Sequence, residues 1–140
     1  MALQVSFYSD AADPLHFACR LVRRALAAGK PVGVRVPPAQ AARLDGLLWS
    51  FEAAEFIPHR RWDGVSPAVP GEVLLVDDAA RLPHRGLLLN LADEMPEAAF
   101  EFERILEVIG READGVKAGR VRYRVYQQAG ARLDHFSAAG

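Results

Sequence analysis

Arg120, Tyr123, Arg124 and Gln127 fall at positions i, i+3, i+4 and i+7, so a helix running through them stacks two guanidiniums beside one aromatic ring. Arginine forks take carboxylates in bidentate fashion, and a neighbouring ring packs an apolar or aromatic group. That is chemistry for gripping an acidic ligand rather than transforming one. Lys117, Arg122 and Arg132 extend the basic character, and Glu112 and Asp114 oppose it. Ala118, Val121, Val125 and Ala129 recur at helical intervals and are assigned to the packed side. The same basic face is also compatible with simple solvation. A second candidate surface is Trp49, at the end of an amphipathic stretch, with Phe56 in the loop that follows. Two large aromatics so placed serve either as core or as anchors for a protein partner, since aromatics are enriched in interface centres.

Catalytic constellations are missing. Leu74-Leu75-Val76-Asp77-Asp78 has the form of a strand end that holds magnesium in phosphate-loop ATPases, but the chain has no G-x-x-x-x-G-K-[ST] loop to hold the phosphates. Two readings of Asp77 and Asp78 therefore stand: acids that end a buried strand, or part of a nucleotide-handling α/β enzyme related to ATPases. The turn Ser9-Asp10-Ala11-Ala12-Asp13 lacks the glycines that let a backbone approach a pyrophosphate, and its carboxylates repel one. His16, His59, His84 and His135 are scattered, and no G-x-S-x-G elbow occurs. No metal or cofactor is expected. Cys19 is the sole cysteine, which excludes an internal disulfide.

The elements that must position these residues can be read from pattern. Leu3 to Tyr8 predicts a first strand, and Asp13-Pro14 caps a helix carrying Leu15, Ala18, Cys19, Val22 and Leu26, closed by Gly29. Pro31 to Val36 predicts a second strand and Ala39 to Trp49 a second helix. Phe56 to His59 is placed in a loop or edge strand because of Pro58, and 60–71 is an irregular connection. Val73 to Val76 and Leu87 to Leu91 are runs suited to strands buried on both faces. Pro96 is expected to open a helix with a stripe of Phe102, Ile105, Leu106 and Ile109; a last helix covers 114–128, and a short tail follows at 133–136. Alternating strands and helices imply an α/β three-layer sandwich with a mostly parallel sheet, Rossmann-like in shape but without a phosphate-binding loop.

The 140 residues are the size of one domain, and 51% hydrophobic content is enough for one core. The net charge of -1 marks no general nucleic-acid binder, which leaves direct DNA binding through the last helix the weakest of three functional readings. No apolar run approaches the ~20 residues of a membrane span, and the N-terminus has no leader pattern, so a cytoplasmic protein without membrane contact is expected.

R-L-D-x-x-L-W at Arg43 to Trp49, F-I-P-H at Phe56 to His59 and R-x-R-Y-R-x-Y at Arg120 to Tyr126 occur in an order and spacing that resemble the chi subunit of DNA polymerase III. The resemblance runs from the first strand nearly to the C-terminus. It implies a single α/β domain and a non-catalytic subunit of the replicative polymerase. Such a subunit joins the clamp loader through the psi subunit and grips the acidic, phenylalanine-ended tail of single-stranded-DNA-binding protein, so that DNA contact is indirect. By motif position, Ile109, Arg120, Tyr123 and Arg124 become the tail-binding set, with arginine at 124 where well-known members carry lysine. Trp49 and Phe56 become the surface for psi or an alternative helicase partner. Nothing is carried over onto 60–85.

Overall fold

A computed structural model describes residues 3–50, 57–66, 69 and 71–139. Among these residues the strands are β1 (Gln4–Ala11), β2 (Val32–Arg35), β3 (His59–Arg61), β4 (Val73–Val76), β5 (Leu87–Asn90), β6 (Arg104–Gly110) and β7 (Arg132–Ser137). The helices are α1 (Pro14–Ala27), α2 (Pro38–Ser50) and α3 (Ala113–Gln128). The strands form one sheet in the order β3-β4-β2-β5-β6-β1-β7, and every recorded pairing is parallel.

Handedness explains the layers. The chain moves one way across the sheet from β1 through α1 to β2 and from β2 through α2 to β3, but the opposite way from β6 through α3 to β7. Right-handed crossovers then place α1 and α2 on one face and α3 on the other. The core divides accordingly. Leu15, Cys19, Val22, Leu44 and Leu48 pack with Val34, Leu89 and Leu106 on one face. Tyr126, Tyr123 and Val116 pack with Val5, Phe7, Ile105 and Ile109 on the other.

Local chemistry sets the helix ends. Asp13 accepts from the His16 amide at 3.3 Å and Pro14 opens α1, whose end is closed by Gly29 at φ +75. Gly130, at φ +83, makes the corresponding turn from α3 into β7. The edge position of β3 suits its neighbour Pro58, which has no N–H to give a ladder.

Two sequence expectations are overturned. The segment after Pro96 forms only a single 3-10 turn, Ala99–Glu101, and then the central strand β6, so Ile109 stands on a strand and not on a helix. The spacing of Phe102, Ile105, Leu106 and Ile109 imitates a helical stripe because a strand buried on both faces shows no alternation. In fact Ile105 and Ile109 face α3, whereas Leu106 and Val108 face α1. The packed side of α3 also differs from the expected one: Val121 and Val125 are exposed, and Gly119, Arg122 and Tyr126 are buried instead. The tail at 133–136 is part of β7, paired with β1 from Gln4↔Arg132 to Ser9↔Ser137.

Arg122 is buried because Glu107 is. Arg35, Asn90 and Glu107 occupy matching register positions on the neighbouring strands β2, β5 and β6. Arg35 donates to Asn90 Oδ1 at 3.3 Å, and Asn90 donates to Glu107 Oε1 at 3.0 Å. Arg122 Nε donates to Glu107 Oε1 at 3.1 Å and Tyr126 to Oε2 at 2.8 Å, while Arg122 Nη1 caps the Asp93 carbonyl. Burial pushes the Glu107 carboxyl above the ordinary carboxylate range, and the Arg122 charge with the Tyr126 and Asn90 donors pulls it part of the way back. The Arg35 end is closed by Glu97, 2.9 Å from Nε, which also accepts from the Ala79 amide at 3.0 Å.

Removing Arg122 strands a buried carboxylate, so Arg122→Met should cost about 3–5 kcal/mol in urea unfolding. With its positive partner gone, Glu107 keeps a proton in the folded state that the unfolded chain releases. Its contribution is then present at low pH and lost as pH rises, and the cost should be larger at about pH 7 than at about pH 5. An equal cost at both pH values would mean that Glu107 does not titrate in this way. Separately, Cys19 is fully buried and its thiol is pushed up to about 11 by desolvation. Iodoacetamide should therefore label it only after denaturant unfolds the chain, and rapid labelling of the native protein would show that α1 opens readily.

Candidate functional site

The Glu107 anchor fixes the rotation of α3. With Arg122 and Tyr126 turned inward, Tyr123 and Arg120 fall at the margin of the helix, over the sheet. There a cleft of about 240 Å³ is lined by Phe7 and Ser9 of β1, Ile109 of β6, Val116, Gly119, Arg120 and Tyr123 of α3, and His135 of β7. Its floor is apolar, from Phe7, Ile109 and Val116. The Tyr123 ring is held by an edge contact with Phe7, centroids 5.1 Å apart. At one end His135 Nε2 lies 2.6 Å from Ser9 Oγ.

Gly119 makes room for this arrangement. A Cβ there would overlap Ile109 Cδ1, the movable end of a side chain, so the bare glycine lets Ile109 keep its present position beneath the helix. The sequence reading missed Gly119, together with Phe7, Val116, Ser9 and His135. Ser9 and His135 meet only because β7 lies beside β1, which the tail does not reveal as a strand, and Val116 and Gly119 turn to the cleft through the rotation of α3.

Of the residues singled out in the sequence, Ile109, Arg120 and Tyr123 come together in the cleft. Arg124 is exposed one turn beyond Arg120 and does not line it. Arg122, expected to enlarge the basic patch, is spent inside the protein on Glu107. An open, largely apolar slot with an arginine at its rim can take an aromatic group and pair a carboxylate with Arg120.

The second candidate surface lies across the molecule at the end of α2. Asp45 and Trp49, four residues apart, both meet His59, which explains why the two motifs travel together. His59 is buried, with Nδ1 2.7 Å from the Ile57 carbonyl and Nε2 3.0 Å from Asp45 Oδ1. The Trp49 ring lies 4.7 Å from the imidazole yet the residue is 56% exposed, so it is a surface aromatic resting on a fixed base. Arg43 of the same motif ties α2 to the α1 cap through a 2.6 Å ion pair with Asp13. Phe56 lies outside the described residues. Asp78 caps the 3-10 turn Ala79–Arg81, accepting from the Ala80 amide at 2.9 Å, and Asp77 is exposed. No cluster of metal-binding side chains occurs among the described residues, and no helix there is long and apolar enough to cross a membrane.

An exposed aromatic contributes little to the fold, so Trp49→Ala should change unfolding stability by no more than about 1 kcal/mol. A buried tryptophan would cost about 3–5 kcal/mol on the same truncation. Thermal melting of this one variant distinguishes the two.

Residues 2–134 match the family model described as DNA polymerase III chi subunit, HolC. The chain is 36% identical to the DNA polymerase III subunit chi of Pseudomonas aeruginosa, over 94% of this chain and 95% of that protein. It is 30% identical to the subunit of the same name from Haemophilus influenzae, over 83% of this chain and 81% of that one. The Escherichia coli subunit is 28% identical over 68% of this chain and 65% of its own length. With nearly the whole chain matched and this level of identity to a relative of equal extent, the protein belongs to the DNA polymerase III chi subunit family.

Proposed function

We propose that this subunit is a non-catalytic adaptor of the replicative polymerase, which joins the clamp loader to single-stranded-DNA-binding protein by gripping that protein's acidic, aromatic-ended C-terminal tail. The observation that carries the reading is the cleft beside α3, where an apolar floor and the Arg120 guanidinium meet at one opening. The terminal ring of the tail would sit on Phe7, Ile109 and Tyr123. Its carboxylates would pair with Arg120 at the mouth and with Arg124 a turn further out. A desolvated charge-assisted pair is worth about 1.5–3 kcal/mol, and a rim charge much less.

The exposed Trp49, with Phe56, would form a separate docking point for psi or a helicase segment, fixed in place by His59. Nucleotide handling through Asp77 and Asp78 is the less favoured alternative, because Asp78 already serves as a cap. Saturable ATP binding with magnesium-dependent hydrolysis would restore it.

Calorimetric titration of a tail peptide tests the central reading. Arg120→Ala should weaken binding about ten- to a hundredfold, and Arg124→Ala, standing off the cleft, by less. Gly119→Ala should weaken it by about tenfold while melting normally, because the new methyl displaces the Ile109 side chain and narrows the slot. If all three variants bind the peptide as the parent does, the tail is held elsewhere.

A further inference from the structure

The sheet face under α1 carries a second set of groups, on the opposite side of β1 and β7 from the cleft. Phe136 of β7 stacks on Tyr8 of β1, with centroids 5.3 Å apart and planes 25° apart. Tyr8 in turn meets Phe17 of α1 at 5.5 Å, and the Arg20 guanidinium lies 5.5 Å over the Phe17 ring. The outer ring of this ladder, Phe136, is 47% exposed, where a ring with only a core role would be covered.

Beside the ladder a cleft of about 360 Å³ opens between the C-terminal half of α1 and the N-terminal ends of β1, β5 and β6. Tyr8 lines it together with Arg24, Lys30 and Arg104. Arg104 donates to Ser6 Oγ at 3.0 Å, and its Nε is buried with no partner. Strand alternation puts Arg132 on the same face as Phe136, opposite Gln4 in register. Against Arg20, Arg24, Lys30, Arg104 and Arg132 stand Glu103, at the cleft, and Asp134, which accepts from Gln4 at 3.2 Å. The helix α1 contains no acidic residue. A chain whose net charge is -1 thus concentrates cations here, around stacked rings.

Rings flanked by cations suit a single nucleic-acid strand, whose bases stack without regard to sequence while its phosphates meet the charges. An acidic peptide without aromatic rings would use the cations but leave the ladder idle. We propose that this face binds single-stranded DNA without sequence preference, with a base stacking on the exposed side of Phe136, which Tyr8 backs, and phosphates at Arg24, Lys30 and Arg104. Because the peptide cleft lies on the other side of the sheet, the two ligands would not compete for space.

Fluorescence anisotropy of a labelled oligo-dT of about 20 nucleotides at low salt tests the proposal. Saturable binding is expected, with a log–log salt slope of about -2 if three phosphates are neutralised. Phe136→Ala should weaken it about tenfold and Phe136→Trp restore it. Reversal of Arg24 and Lys30 together to Glu should remove most of the affinity, whereas Lys117→Glu on α3 should leave it unchanged. The replaced side chains are all exposed, and a melting curve for each variant confirms the fold. The proposal is overturned by no anisotropy rise, or by Phe136→Ala and the α1 reversal both binding like the parent. It is equally overturned if Lys117→Glu is as damaging as the α1 reversal, or if a polyglutamate peptide competes as well as unlabelled oligonucleotide.

Discussion

A carboxylate in the middle of a parallel sheet must find donors inside the protein or give up its charge. Glu107 faces that constraint on the central strand β6, and the way it is met organises the molecule. Its donors come from the neighbouring strand, through Asn90, and from the covering helix, through Arg122 and Tyr126. The row continues through Arg35 to Glu97, so a polar chain crosses β2, β5 and β6 and ends in the connection before β6. A buried ion pair of this kind adds little net stability over an apolar pair of equal volume, but it makes alternative arrangements costly. Turning α3 by one residue would bury Val121 or Tyr123 against Glu107 and leave the carboxylate with Asn90 as its one remaining donor.

That single choice of rotation separates the two roles of the R-x-R-Y-R-x-Y motif. Arg122 and Tyr126 belong to the interior, while Arg120 and Tyr123 belong to the cleft and Arg124 to solvent. The earlier motifs divide in the same manner. Leu44 and Leu48 are core, Asp45 and His59 hold the chain that returns from α2, and Trp49 is left outward on that base. Each motif therefore couples an internal anchor to an external group, which gives the external group a fixed position at small entropic cost.

The fold class and most elements were legible because their signals are local. The Asp13-Pro14 cap, the Gly29 stop and the runs at β4 and β5 each mark a boundary or a buried strand without reference to distant residues. β6 was not legible. Its five buried residues in succession show neither alternation nor a reliable helical period, and the glutamate among them reads as an exposed face until its partners from α3 are known. The buried side of α3 failed for the same reason: nothing local says that an arginine will turn inward and two valines outward. At the site, Ile109, Arg120 and Tyr123 were identifiable from motif position, whereas His135 required the pairing of β7 with β1, and Gly119 and Phe7 the rotation of α3 over the sheet.

The central claim is that the slot between α3 and β6 receives the terminal ring of an acidic tail, and the methyl group of Ile109 reports on it directly. In a methyl-labelled sample titrated with a tail peptide, the Ile109 δ1 resonance should move upfield by ring current and saturate. The same peptide without its terminal phenylalanine should leave it nearly still. An unmoved Ile109 methyl during a titration that shifts signals elsewhere would contradict the account.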